Sequence, residues 1–233
     1  MHVHLPKPLH GWRAFAGEVG IIVIGVLIAL GAEQIVEAWH WRNEARDFSK
    51  AVDHELGLNL GTYDAAIKQR PCVFRRLNEL ELFLAKSTAG ERPLLQRRIG
   101  WPKAYSPYTS VWNNRGADVT AHLPGDRRLR YAELYDEFAN YDALRQAERE
   151  VWRELAVYNQ PEALDHSDRM RLRGLLARAE QMNLVTVSNY DFIVKLARPL
   201  GIVPVGEKDL VPLAMDAEFC GPLLAQADSR NGR

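Results

Sequence analysis

The chain has 233 residues, with Lys plus Arg and Asp plus Glu at 30 each, so it carries no net charge at neutral pH, and 47% of it is hydrophobic. That balance lacks the basic excess of a nucleic-acid binder, and no nucleic-acid partner is expected. Two cysteines, Cys72 and Cys220, have the wrong spacing for a zinc or redox motif; they are either a disulfide pair or two unrelated buried thiols.

Residues 1–11, MHVHLPKPLHG, form a short irregular segment. Its His2, His4 and His10 are read as incidental, so no metal and no cofactor is assigned to the chain. Residues 12–41 read as a membrane anchor. From Val19 to Ala32 every residue is apolar or Gly, with Glu18 and Glu33 bracketing the run. A spanning helix needs about 20 residues. Phe15–Val36 meets that length if both glutamates lie near the headgroups, where charge is cheaper than at the midplane. Trp12 precedes the run, and Trp39 and Trp41 follow it, at the places of an aromatic belt. A cleaved signal peptide and a buried core helix are the rival readings. Against the first, a helical pattern runs on past the small residues Ala29, Gly31 and Ala32. Against the second stand tryptophans at both flanks.

At 100° per residue, Glu18, Ile22, Gly25, Ala29, Ala32 and Val36 fall on one stripe, with Glu33 at its margin. Gly25 and Ala29 make a small-xxx-small pair that lets two backbones approach. The expected partners are therefore the lipid bilayer and, along this stripe, a second copy or another membrane protein. Lys and Arg are nearly balanced across the two flanks. The larger mass after the anchor favours an amino terminus inside and a carboxy-terminal domain outside, in the periplasm.

The segment GEVGIIVIGVLIALGAEQIVEAWHWR, Gly17–Arg42, resembles the opening of a family of bacterial single-pass membrane proteins that carry a domain of unknown function. The likeness is weaker over RPCVFRRLNELE and SVWNNRGADVTAHL. It implies a bacterial inner-membrane anchor and no catalytic residue.

After the anchor, about 190 residues make one ordinary domain with enough chain for a core. Residues 42–201 read as a helical bundle. Trp41, Ala45, Phe48, Val52, Leu56, Leu60, Tyr63 and Ile67 form an amphipathic stripe that continues the anchor helix, weakened at Gly57 and Gly61. Pro71 marks a break or kink. A second helix buries Val73, Leu77, Leu80 and Leu84. A long helix over 127–158 has the stripe Tyr131, Leu134, Phe138, Tyr141, Leu144, Ala147, Val151, Leu155 and Tyr158, with Arg145 and Arg149 on its charged face. Ser167 or Asp168 caps a last helix with the stripe Leu172, Leu175, Ala179, Met182, Val185 and Leu196, stopped by Pro199 and Gly201. Arginine groups such as Arg75–Arg76, Arg127, Arg128 and Arg130, and Arg169, Arg171 and Arg173 lie near acids and read as solvated faces. Residues 202–233 form a tail with a short helix near Leu213–Glu218. No alternating strand pattern occurs. The fold class is all-α: an N-terminal transmembrane helix continuing into an antiparallel helical bundle.

Residues 88–127 are the least regular stretch, rich in Pro, Gly and aromatics. A short helix over Ser110–His122 is expected within it. Trp101, Tyr105, Trp112, Asn113, Asn114, Arg115 and His122 are the candidate ligand-binding residues. Asp118 and His122 stand four apart, so on a helix the carboxylate can orient the imidazole, with Ser110 as a conceivable nucleophile. Three common residue types in one window are thin grounds for a hydrolase, and no catalytic residue is assigned. The Cys72–Cys220 pair is a disulfide candidate in an oxidising compartment. The function read from the chain is non-enzymatic: a membrane-anchored partner-binding or scaffold domain. A ligand-sensing domain is the alternative.

Overall fold

The structure is a computed structural model, described over residues 11–103, 105–160, 164–206, 210 and 217–224. The histidines near the amino terminus and most of the expected tail helix lie outside those residues. The chain divides into two units, residues 1–49 with 116–123, and residues 50–115 with 124–233. One helix, α1, runs through both, from Trp12 to Lys68.

In the first unit α1 is long and apolar enough to cross a membrane, and its apolar window is not buried inside the protein at all. Ile21, Leu27 and Ile28 are each more than 60% exposed. The other described element of this unit is the short helix α4, Ala117–Ala121. The helix expected over Ser110–His122 is in fact two pieces, because Asn114 and Arg115 leave the helical path and Gly116 is extended.

The second unit contains the rest of α1, then α2 (Arg70–Thr88), α3 (Ser110–Asn113), α5 (Gly125–Leu155), α6 (His166–Ala197) and α7 (Ala217–Cys220). Only Gln69 separates α1 from α2, and Pro71 sits in the first turn of α2, where its missing N–H costs nothing. The proline therefore marks the break without turning the chain back. Pairings between helices give their directions. Asp53 meets Tyr131, Glu55 meets Tyr135, Tyr63 stacks on Tyr141 and Arg70 bonds Glu148, so α1–α2 and α5 run parallel. Glu137 bonds Asn189 and Glu154 bonds Arg171, so α6 runs antiparallel to α5.

A parallel helix pair needs a return crossover, and this accounts for the long irregular stretch. The loop descends beside α2 and α1. The Arg98 carbonyl meets Arg76, Tyr108 meets Asn59, and Val111 meets Glu55.

The main core gathers Val73, Leu77, Leu80, Trp152, Leu155, Leu172, Leu176 and Phe219 from four helices, with Leu223 just beyond the last of them. Each fully buried large side chain is worth about 1.5–3 kcal/mol. The stripe expected on α2 is buried as read, and on α1 Ala45, Val52, Leu56, Leu60 and Tyr63 are buried while Trp41, Phe48 and Ile67 are half-buried. Two others are corrected. On α5, Leu144 is half-buried and Ala147 exposed, while Arg145 and Glu148 are buried. On α6, Val185 is 46% exposed and Asn183 and Thr186 are buried in its place. The cap of α6 is Asp165, in a reciprocal capping box with Asp168, instead of Ser167 or Asp168. The glycines of α1 also have a use. A Cβ on Gly61 would lie 2.4 Å from the Val205 carbonyl oxygen, and the Val205 N–H donates to the Gly57 carbonyl. Gly57 and Gly61 let the segment after α6 lie directly on the helix backbone.

Candidate functional site

The crossover loop is pinned by two polar residues of α1. The Asn59 amide donates to the Tyr108 carbonyl at 2.8 Å and accepts the Tyr108 N–H at 2.7 Å. One turn earlier, the Glu55 carboxylate accepts the N–H groups of Val111 and Trp112 at the start of α3 and the Tyr135 hydroxyl at 2.5 Å. Burial, with the hydrogen bond to Glu55 added, pushes the Tyr135 hydroxyl far above its ordinary range. Trp112 is buried, stacked on Tyr135 and edge-on to Tyr131. The Arg115 guanidinium lies 4.2 Å over the Trp112 ring and donates to the Trp112 carbonyl. Trp112 and Arg115 thus share a packing arrangement that closes the end of the bundle.

The other candidates lie apart from it. The Asn113 and Asn114 side chains bond Thr109 and the Ser110 carbonyl within their own turn. Tyr105 is exposed. His122 belongs to the other unit, stacked on Trp41 at 4.7 Å with rings nearly parallel. Its Nδ1 is 2.7 Å from the Asp118 main-chain oxygen and so carries the proton. The expected Asp118–His122 pairing through the carboxylate is therefore replaced by a main-chain bond. Ser110 sits exposed at the start of α3, in the bundle unit.

Trp101 stands in a different place. It is 58% exposed and lines a cavity of about 400 Å³ with Arg98, Lys103, Asn159 and Phe219. One wall of this cavity is the carboxy-terminal strap, residues 217–224. Cys72 and Cys220 form a disulfide, with Cα atoms 4.9 Å apart. Arg76, 1% exposed, donates to the carbonyls of Phe219 at 2.6 Å and Gly221 at 3.1 Å and lies over the Phe219 ring. Glu79 accepts the Leu223 N–H. The expected solvated Arg75–Arg76 face is half wrong: Arg76 is a buried clamp, because main-chain carbonyls of the strap replace its water.

A second set that the sequence reading missed lies inside the bundle. The Arg70 guanidinium donates to Glu148 at 2.8 Å and to Asn183 at 3.1 Å, and Arg145 pairs with the other oxygen of Glu148. All four side chains are buried. Burial lowers Arg70, and it pushes the Arg145 guanidinium down to about 10, with Arg70 adding to the effect. Two guanidiniums share one carboxylate, so this layer is undercompensated in negative charge. The available signal was the spacing: Tyr141, Arg145, Glu148 and Trp152 recur at three and four along α5.

The anchor-stripe residues Glu18, Ile22, Gly25, Ala29, Ala32 and Glu33 are all exposed, and a Cβ on Gly25 would meet nothing within 4 Å. Among the described residues, no group of His, Cys, Asp and Glu is arranged to hold a metal. No family model, curated protein or solved structure matches the chain.

Proposed function

We propose that this chain is a non-enzymatic, membrane-anchored helical domain of the bacterial inner membrane that binds a partner or acts as a scaffold subunit. The observation that carries the reading is α1: its exposed apolar half passes without a break into a half whose stripe is buried in a bundle. Exposed aliphatic surface on that scale is unfavourable in water and favourable in lipid. The bundle lies on the periplasmic side, a reading supported by the Cys72–Cys220 bridge, since disulfides persist in oxidising compartments. The partner docks along the stripe of Ile22, Gly25 and Ala29 within the bilayer, where small residues allow close helix contact.

The test has two arms. In intact spheroplasts, a membrane-impermeant maleimide labels Cys72 and Cys220 only after reduction. Labelling that needs permeabilisation and no reductant would place the domain in the cytoplasm. Ile22→Cys or Gly25→Cys, oxidised in native membranes, gives a crosslinked dimer or a crosslink to a second membrane protein. A monomer that captures nothing under both variants defeats the partner reading. The mass of the membrane-bound protein shows whether the anchor is retained, which separates an anchor from a cleaved signal.

A further inference from the structure

We propose that the cavity beneath the crossover loop, walled by Arg98, Trp101, Lys103, Asn159 and Phe219, binds a small anionic molecule bearing a flat ring. Its volume of about 400 Å³ falls in the range of small-molecule sites, about 300–1,000 Å³. The site is independent of the orientation and partner proposed above, because every wall belongs to the bundle unit.

The floor is rigid. Phe219 is buried, packed edge-on against Trp152 and covered on another side by the Arg76 guanidinium, and the next residue is the bridged Cys220. The loop is fitted tightly to that floor. Gly100 has φ +65°, and a Cβ there would lie 3.2 Å from the Phe219 ring. Trp101 follows directly and leaves more than half its surface exposed, although the other tryptophans of the bundle unit, Trp112 and Trp152, are buried. An indole held in solvent at the mouth of a cavity offers a stacking face for a planar ligand.

The lining also has a sign. Arg98 and Lys103 bring two positive charges against the single carboxylate of Glu218. The Asn159 oxygen accepts the Ile99 N–H at 2.7 Å. A ring between Trp101 and Phe219 with a carboxylate or sulfonate toward Arg98 and Lys103 uses both properties of the lining.

The full-length chain in lipid nanodiscs is titrated calorimetrically with 2-naphthoate, against empty nanodiscs to remove partitioning. Saturable one-to-one binding is expected. Trp101→Ala weakens it at least tenfold and Arg98→Ala about threefold to tenfold, while both variants keep the parent's unfolding temperature, since both side chains are exposed. Uncharged 2-naphthamide binds at least fivefold more weakly than the acid. No saturable heat above empty nanodiscs would overturn the site, as would unchanged affinity in Trp101→Ala. Equal affinity for acid and amide would overturn its anion selectivity.

Discussion

The two halves of α1 are built from the same backbone and solve opposite problems. Between Trp12 and Val36 the apolar side chains face outward on every side, and Ile21, Leu27 and Ile35 are more than 60% exposed. Between Val52 and Tyr63 the apolar side chains collapse onto one face, where Val52, Leu56, Leu60 and Tyr63 are within 1% of full burial. The first half leaves its apolar surface uncovered by the rest of the chain. The second is covered, and must then satisfy every polar group taken inside. Stability should therefore be most sensitive to polar groups in the bundle half and to charge in the anchor half.

The largest effect is expected where the bundle half leads into its charged layer. Glu148→Ala leaves Arg70 and Arg145 buried without their carboxylate, a loss of about 3–5 kcal/mol measured by urea unfolding of the detergent-solubilised protein. Glu150→Ala is the control. Its partner Arg153 is 67% exposed, and the pair is worth under about 1 kcal/mol. Equal losses in the two variants would mean that the layer is solvated. In the anchor half the matching change is Leu27→Arg, near the middle of the apolar run. It opposes insertion by about 2.5–3.5 kcal/mol and should move protein from the membrane to the soluble or degraded fraction. The same substitution would be silent there if the half were a passive solvent-exposed arm.

The contrast also explains what could be read in advance. Where the apolar period was regular, as from Val52 to Tyr63 and from Val73 to Leu84, the buried face was legible, because a helix hides whichever stripe is greasy. The Cys72–Cys220 pairing followed from an even count. Arg70, Arg145 and Glu148 were not legible. The partners that let Arg70 be buried, and with it the Arg145–Glu148 pair, lie 78 and 113 residues from it in sequence, and a charged residue is assigned to the surface until such partners are known. Composition also marked the aromatic loop, but not its division. Trp112 is held in the bundle because Glu55 accepts its N–H from another helix, with Asn59 pinning Tyr108 beside it and Arg115 lying over its ring, while Trp101 is left to face a cavity.

A smaller effect separates glycines that look alike in the sequence. Removing a glycine from a helix interior normally gains about 0.8–1 kcal/mol. Gly174→Ala on α6 should show that gain, since its Cβ would meet nothing within 4 Å. Gly61→Ala must push back the Val205 backbone, 2.4 Å from the new methyl, and should lose about 1–3 kcal/mol in the same unfolding assay. Two stabilised variants would show that the segment after α6 does not rest on α1.

The smallest effect at neutral pH is expected at Tyr131, and it shrinks further with alkalinity. The Tyr131 hydroxyl donates to Asp53 at 2.7 Å and accepts from Arg127 at 2.6 Å. Burial, then the bond to the Asp53 carboxylate, pushes it up to about 12 from its ordinary 10.0. A raised tyrosine favours the folded state fully below pH 10, because the unfolded chain releases its proton first above that point. The contribution then declines through the interval to about 12, where the folded state ionises as well. Tyr131→Phe removes both the hydrogen bonds and the titration. It should cost about 0.5–1.5 kcal/mol at pH 7, and over pH 10–12 its unfolding free energy should fall less steeply with pH than the parent's. Parallel curves would mean that Tyr131 ionises alike in both states, and that the Asp53–Tyr131–Arg127 contact joining α1 to α5 is open to water.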